Sequence, residues 1–363
     1  MTTSIQQPTK RIEYIDALRG LTMILVVFSH VELSCMGITT PTYLNEVLMS
    51  FRMPLFFFIS GYIAYKESLA WDWGMWRTMS RKKLVVQLVP TLILGLLYTY
   101  AYYGTDWQTF VTANGKLGYW FTIVLLEMFL ILYTANTCLH TPDRERYRKR
   151  MTLTLLLLAG ILFVAKMGLK MSPTLNTWAN VGSWHHLCSY FQYFAFGYIC
   201  SMHKERFAQL LEARYTMAIV IGLYALVFGT KKYLIATHLT GSIDLWKVAE
   251  TLSEALIGYL GLIIVYNTFK TYQNGFTRDK RVGKALQVIG TRTLDIYLLH
   301  SFFMPHLPQL SALCSEGKNA VVELFLGGSI ALSVIALCLC VSAVIRTSPM
   351  LAKLLFGVSK KKG

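Results

Sequence analysis

Charge is scarce in this chain. Only 15% of its 363 residues are Asp, Glu, Lys or Arg, and the 19 acids are outnumbered by 35 bases. An ordinary soluble core cannot hide the 54% that are hydrophobic, because the excess is arranged in runs long enough to cross a bilayer. No polar stretch is long enough for a soluble domain: 66–83 and 270–284, the longest basic segments, have fewer than twenty residues each. Any chemistry is therefore built from the apolar runs and their edges. Low-complexity tracts and internal repeats are missing too. Seven cysteines, at 35, 138, 188, 200, 314, 338 and 340, show neither metal-ligand spacing nor an even disulfide framework, so no metal is expected and the thiols read as apolar fillers. The net charge of +16 comes from short loops without a nucleic-acid motif, which excludes a nucleic-acid partner and leaves anionic headgroups and phosphorylated ligands.

What is present is an all-α, polytopic transmembrane bundle of about ten membrane-spanning helices, with membrane lipid as its surroundings. The runs fall at 12–37, 44–65, 84–103, 117–139, 151–169, 184–202, 215–233, 246–269, 285–307 and 320–345, a single domain over 12–345 between an N-terminal tail (1–11) and a basic C-terminal tail (346–363). Alternate inter-run segments and the two tails collect 25 of the 35 Lys and Arg. Seven more are assigned to the opposite loops and the span ends beside them, and Arg19, Arg52 and Arg292 to the span interiors. The positive-inside rule then puts both termini in the cytoplasm. Tryptophan fits this frame: Trp71, Trp73 and Trp76 fall at an inner boundary and Trp107, Trp120, Trp178, Trp184 and Trp246 at outer ones, as amphipathic rings do. Leu33-Ser34-Cys35 is a poor lipoprotein cleavage site, so the first span is expected to be retained. The stretch 142–150 reads as a solvated loop, and 350–356 as a segment on the inner leaflet.

The first span is unusual in carrying Asp16, Arg19 and His30, ionisable groups that lipid makes expensive. Arg19 and His30 are eleven residues apart. Eleven steps of ~100° return to within about 20° of the start, so both share one helix face, ~16 Å apart along the axis. A phosphate-bearing ligand held at the inner end could extend a thin arm along this stripe to the histidine. A neutral imidazole there can take a proton from an attacking hydroxyl, while Arg19, paired with Asp16, could hold the ligand. The competing reading is structural: a histidine bonding across a helix interface and a snorkelling arginine neutralised by Asp16.

Other motifs bear on the choice. Asp16-x-x-Arg19-Gly20 and His30 are followed by Phe51-Arg52-Met53-Pro54-Leu55-Phe56-Phe57-Phe58-Ile59-Ser60-Gly61-Tyr62, by Tyr119-Trp120-Phe121, by Phe194-Ala195-Phe196-Gly197-Tyr198 and by Leu294-Asp295-Ile296-Tyr297-Leu298-Leu299-His300. In this order, over the whole length, the pattern resembles the type-3 acyltransferases, integral membrane enzymes that modify surface glycans and lipids. The resemblance implies an acyl-CoA-dependent enzyme in a bacterial inner membrane. It would move an acyl group, commonly acetyl, from cytoplasmic acyl-CoA to a hydroxyl of a surface glycan or lipid-linked saccharide. It also implies that Arg19 and His30 match the family's Arg and His. One departure is visible: members often carry two basic residues one turn apart before the proline of the third span. Here Arg81-Lys82-Lys83 is followed by Val85-Val86-Gln87 and Pro90.

Depth along antiparallel spans suggests a supporting set. The second span runs inward, so Arg52 falls level with His30, and Ser60 level with Arg19. Arg52 could stabilise an oxyanion or bind an acidic acceptor, or it could be an interfacial anchor. Arg19, Arg81, Lys82, Lys83 and Ser60 are the candidate donor-binding residues. Glu127 and His300 could enter the same cavity as His30, where a carboxylate would fix its tautomer; both could equally be structural hydrogen-bonding residues. His185 and His186 read as an acceptor entrance or as interfacial anchors, and Arg292 and Asp295 as an internal ion pair. No Ser or Cys has a nucleophile's setting, which favours direct transfer over an acyl-enzyme. Two other readings stay open at this level: a glycan or lipid transporter, although no paired broken helices in two related halves are visible, and a nonenzymatic membrane partner of a polysaccharide synthase.

Overall fold

The computed structural model describes residues 11–38, 42–67, 69–104, 107–113, 115–171, 173–237, 243–314 and 320–357. These residues are helical almost throughout, with no strand among them, the expected outcome when every backbone N–H and C=O must be satisfied within its own segment. The principal helices are α1 (Glu13–His30), α2 (Tyr43–Ala64), α3 (Trp73–Lys83), α4 (Val89–Tyr98), α5 (Trp120–Leu139), α6 (Arg144–Met171), α7 (Trp184–Met202), α8 (Thr216–Ala236), α9 (Ile243–Thr271), α10 (Arg281–Thr291), α11 (Thr293–Leu299), α12 (Ala320–Ile345) and α13 (Pro349–Phe356), with short helices at Trp107–Thr112, Pro173–Gly182, Lys204–Glu212 and Ser311–Cys314 in the connections. Wide π-type turns extend α1 through Val31–Cys35 and join α3 to α4 through Leu84–Leu88. Among the described residues, eight helical segments are long and apolar enough to cross a membrane.

The two remaining expected spans are present but different. Helix α7 has the anticipated bounds, yet His185, His186, Ser189 and Gln192 make it too polar to qualify by apolarity. Ten of its residues, among them Phe191, Phe194 and Gly197, are buried, so it is screened by its neighbours. The 285–307 segment is not one helix. It breaks at Arg292 between α10 and α11 and finishes in a short tight turn, His300–Phe303. Asp295, in the first turn of α11, accepts from Arg346 Nε (2.9 Å) and Nη2 (2.8 Å), from Ser342 Oγ (2.5 Å) and from Arg292 Nη1 (3.3 Å). The expected Arg292–Asp295 pair is thus one edge of a larger ion cluster that fixes the start of α11.

Two segments expected as loops are helical. The chain from Trp73 onward is continuous with the third span, because Asp72 caps its start, accepting from Met75 N at 2.6 Å. The wide turn at Leu84–Leu88 precedes Pro90, which has no N–H to return to the preceding turn. Similarly, 144–150 belongs to α6: Asp143 accepts from the backbone of Glu145 and Arg146 at 3.0 and 3.1 Å, and Lys149 pairs with Glu145 one turn earlier at 3.1 Å. Helix α13 folds back with Phe356 buried against the Arg346 guanidinium at 5.0 Å, leaving Met350, Leu351 and Leu354 exposed.

Two glycine crossings organise the bundle. A Cβ on Gly20 would lie 2.0 Å from the Leu286 carbonyl oxygen and one on Gly290 1.8 Å from that of Asp16, so α1 and α10 touch backbone to backbone. Helices α2 and α7 do the same through Gly61 against Phe194 O (1.9 Å) and Gly197 against Phe58 O (2.0 Å). Small residues allow such approach where apolar burial supplies no drive between helices in lipid. The span containing α1 is 67% buried, whereas that of α8 is 0% buried and that of α6 only 6%. The helix carrying the ionisable stripe is the one the others enclose.

Gly61→Ala places its methyl against backbone that has no rotamer to move, a cost of about 1–3 kcal/mol. Its thermal midpoint in detergent, read by fluorescence-detected size exclusion, is expected to fall by several degrees. Gly222→Ala, where a Cβ meets nothing within 4 Å, is the control expected to stay unchanged; equal midpoints for the two variants would contradict the close crossing.

Candidate active site

The stripe on α1 faces α11. Arg19 Nη2 donates to Thr293 Oγ1 at 2.9 Å, and the His30 ring lies 5.0 Å from that of His300 just beyond the same helix. Thr293 and His300 follow each other in the order of Arg19 and His30, so α1 and α11 run the same way. Asp16 sits 3.6 Å from Arg19. His30 is half-buried and ends α1; the next residues form the wide turn Val31–Cys35, a distortion that recurs at functional sites.

His300 is buried, and its Nδ1 lies 2.7 Å from the Tyr297 carbonyl and 3.2 Å from that of Ile296. A carbonyl only accepts, so Nδ1 carries the proton and Nε2 is left as an acceptor; it has no partner of its own. Arg52 lies within electrostatic range of His30, Glu32 and Tyr190, and its Nε and Nη1 are buried without hydrogen-bond partners. The structure therefore brings His30, His300 and Arg52 together. It adds Glu32, two residues beyond His30, whose carboxylate faces Glu323 and Asn45, with Thr42 donating to Glu323. Sequence reasoning missed both glutamates, although each is an ionisable residue inside an apolar run, the signal that singled out Arg19 and His30.

A strained turn is tied to α11. Lys116 (φ 46°) and Leu117 (φ 51°) are left-handed without being glycine, and Gly118 follows at φ 99°. Such backbone persists only where surroundings over-determine it. Tyr297 supplies that restraint: its hydroxyl donates to Gly118 O at 2.5 Å and accepts from Phe121 N at 3.0 Å, while Tyr119 Oη donates to Leu298 O at 3.1 Å. Lys116 itself is buried, donating to the Val111 carbonyl and to Asn180 O. Burial pushes its ammonium down to about 8, against the opposing pull of Glu127. Glu127 lies within range of Lys116, Trp184 and Cys188, a different set from the neighbours of His30. His186 stacks on Trp120 at 3.9 Å, and Trp120 on Tyr190 at 5.6 Å.

At the other end of the stripe, Ser60, Lys82 and Lys83 line one cavity of about 300 Å³ with Lys66, Trp71, Phe129 and Tyr133. Lys83 lies over the Phe129 ring at 3.4 Å and within electrostatic range of Arg19. The lining holds three ammonium groups and no carboxylate, a donor set suited to phosphate. Arg81 turns elsewhere, lining an open depression with Arg77, Lys82, Val85, Val86 and Gly357. Lys66 was not anticipated; its place in a turn after α2 gave no periodic signal.

The profile of a family described as an acyltransferase domain matches residues 12–345, nearly the whole described bundle. The chain belongs to the type-3 acyltransferase family. No curated protein and no solved structure matches it. Membership makes it an integral membrane acyltransferase, and gives the enclosed Arg19–His30 stripe of this family member a chemical context.

Tyr297→Phe leaves Gly118 O and Phe121 N without their partner, a loss of about 1–3 kcal/mol for a buried group. Amide hydrogen exchange over 117–121 in nanodiscs is expected to accelerate roughly tenfold or more. Unchanged exchange would mean that the hydroxyl does not hold the strained turn.

Proposed function

We propose that this acyltransferase is an O-acyltransferase that moves an acyl group, acetyl in the simplest case, from cytoplasmic acyl-CoA to a hydroxyl of a surface glycan or lipid-linked saccharide, with His30 as general base. The observation that carries the reading is the pairing, along one enclosed helix, of a cation-only cavity near Arg19 with the His30–His300–Arg52 cluster. Their separation of ~16 Å along α1 is a span for a thin arm and not for a whole nucleotide.

Each residue then has a task. Lys66, Lys82, Lys83 and Arg19 bind phosphate oxygens, Ser60 adds a hydroxyl, and Trp71, Phe129 and Tyr133 offer ring faces for a base. His30 removes the acceptor proton as the acceptor oxygen bonds to the thioester carbonyl carbon. The carbon–sulfur bond then breaks, and the thiolate leaves to take a proton. His300, fixed as an acceptor at Nε2 by its Nδ1 bond, stands ring to ring with His30 at 5.0 Å. Its Nε2, unpartnered in the resting protein, accepts from a hydroxyl of the acceptor bound beside His30. The unpartnered N–H groups of Arg52 are donors for the developing oxyanion. Glu32 sets a carboxylate within range of that arginine. The charge distribution of the loops supports cytoplasmic termini and entrance of the donor from that side, in a bacterial inner membrane.

His30→Ala is expected to insert and fold normally while acyl transfer from radiolabelled acetyl-CoA drops by roughly a hundredfold or more. Near-normal turnover would sink the base assignment.

Arg19→Ala is expected to weaken acetyl-CoA binding, read by titration calorimetry in nanodiscs, by roughly tenfold, the scale of one charge-assisted contact. Unchanged affinity would return Arg19 to a purely structural role with Asp16 and Thr293.

A further inference from the structure

Four lining helices and the end of a fifth enclose a second cavity, of about 430 Å³, at the end of the bundle where α2, α7 and α9 begin and α6 and α8 end. Its lining includes Glu46, Glu250 and Glu254 with Lys166, Lys231 and Lys232. Three carboxylates face three ammonium groups, most of them on helical turns of apolar spans, where a charge without a purpose is costly. The sequence assigns the three lysines to loops and span ends as simple boundary charges; in the structure they line a cavity. Two of them are matched across it: Lys231 Nζ meets Glu254 at 3.3 Å, and Lys232 pairs with Glu46. Tyr190, Tyr193 and Phe228 add ring faces to the lining, with Phe228 stacked on Tyr224 at 5.9 Å.

The cavity touches the reaction cluster through one residue. Tyr190 lines it and lies within electrostatic range of Arg52, which in turn neighbours His30. Resting on the acyl-transfer reading, we infer that this cavity is the acceptor site and that it takes an uncharged pyranoside. The volume is within the ~300–1,000 Å³ of small-ligand pockets. Ring faces suit the C–H face of a sugar, and the carboxylates and ammonium groups offer hydroxyls both acceptors and donors. The balance of charge is what sets the class. A uronate, phosphate or aminosugar meets as many like as opposite charges here and gains no net attraction to offset the cost of desolvating its own charge, whereas a neutral polyol uses both signs without that cost. The contrast with the cation-only cavity at the opposite end separates a phosphate-bearing ligand from a neutral one by electrostatics alone.

The test uses purified full-length protein in nanodiscs with methyl glucoside, galactoside, mannoside and rhamnoside as probes, beside methyl glucuronide and glucosamine. Saturation-transfer NMR is expected to show saturable binding of at least one neutral glycoside, at least tenfold tighter than the charged sugars. Glu250→Gln and Phe228→Ala are expected to weaken that binding tenfold or more, and His30→Ala to leave it intact. With the preferred glycoside as acceptor, Phe228→Ala raises the acceptor KM and leaves the acetyl-CoA KM unchanged. Absence of binding, equal binding of charged sugars, or indifference to both cavity variants overturns the site. Glycoside binding that responds to the cavity variants, in a protein that transfers no acyl group, upholds the sugar site and overturns the acyl-transfer reading instead.

Discussion

The contact on which the rest depends is the backbone crossing of α1 and α10. Gly20 and Gly290 leave no room for a Cβ on either side, and that proximity fixes where α10 ends. The chain breaks at Arg292, and the short α11 starts beside Asp16 and Arg19 instead of continuing as an ordinary span. Without the break, Thr293 and His300 would not both fall on the ionisable face of α1. The Asp295 cluster with Arg292, Arg346 and Ser342 then holds the new helix in register from its other side. A buried carboxylate with this many donors is worth more in fixing geometry than in net stability, since desolvation offsets much of the attraction.

The second restraint is conformational. Two consecutive non-glycine residues in the left-handed region, Lys116 and Leu117, carry strain of about 1–3 kcal/mol each. They are tied to α11 through the Tyr297 and Tyr119 hydroxyls, and the same short helix positions His300. The strained turn and the histidine pair therefore share one support, so a disturbance of either reaches the other. The unpartnered Nε2 of His300 and the unpartnered N–H groups of Arg52 sit at this junction. Buried polar atoms without partners are costly in a resting protein, and a bound ligand that satisfies them recovers that cost.

Much of this was legible in the sequence, for reasons that also mark its limit. Apolar runs located the helices, and α7 and α12 lie where 184–202 and 320–345 were expected. The eleven-residue spacing located the stripe, and depth along antiparallel spans put Arg52 level with His30 and Ser60 level with Arg19; in the structure Arg52 lies within range of His30, and Ser60 shares a cavity with Lys83, which lies within range of Arg19. Depth, however, says how far along the bundle a residue lies and not which helix it faces. Glu127 was placed in depth, while the groups it meets are Lys116 and Trp184. The break at Arg292 was invisible because hydropathy continues through it. The helices over 73–83 and 144–150 were hidden because capping by Asp72 and Asp143 extends a helix past the apolar boundary that marks a span.

The two cavities explain why an enclosed helix would be kept at such expense in buried charge. One holds three cations and no carboxylate, the other equal numbers of each, and they lie toward opposite ends of α2, which lines both. On the proposed reading, a phosphate-bearing donor is attracted to the first and finds no net attraction in the second, a neutral acceptor has no electrostatic reason to enter the first, and the reacting atoms meet along the stripe at His30. Separation of this kind needs no moving gate: it follows from the sign of charge at each end and from the ~30 Å of hydrocarbon that lies between them.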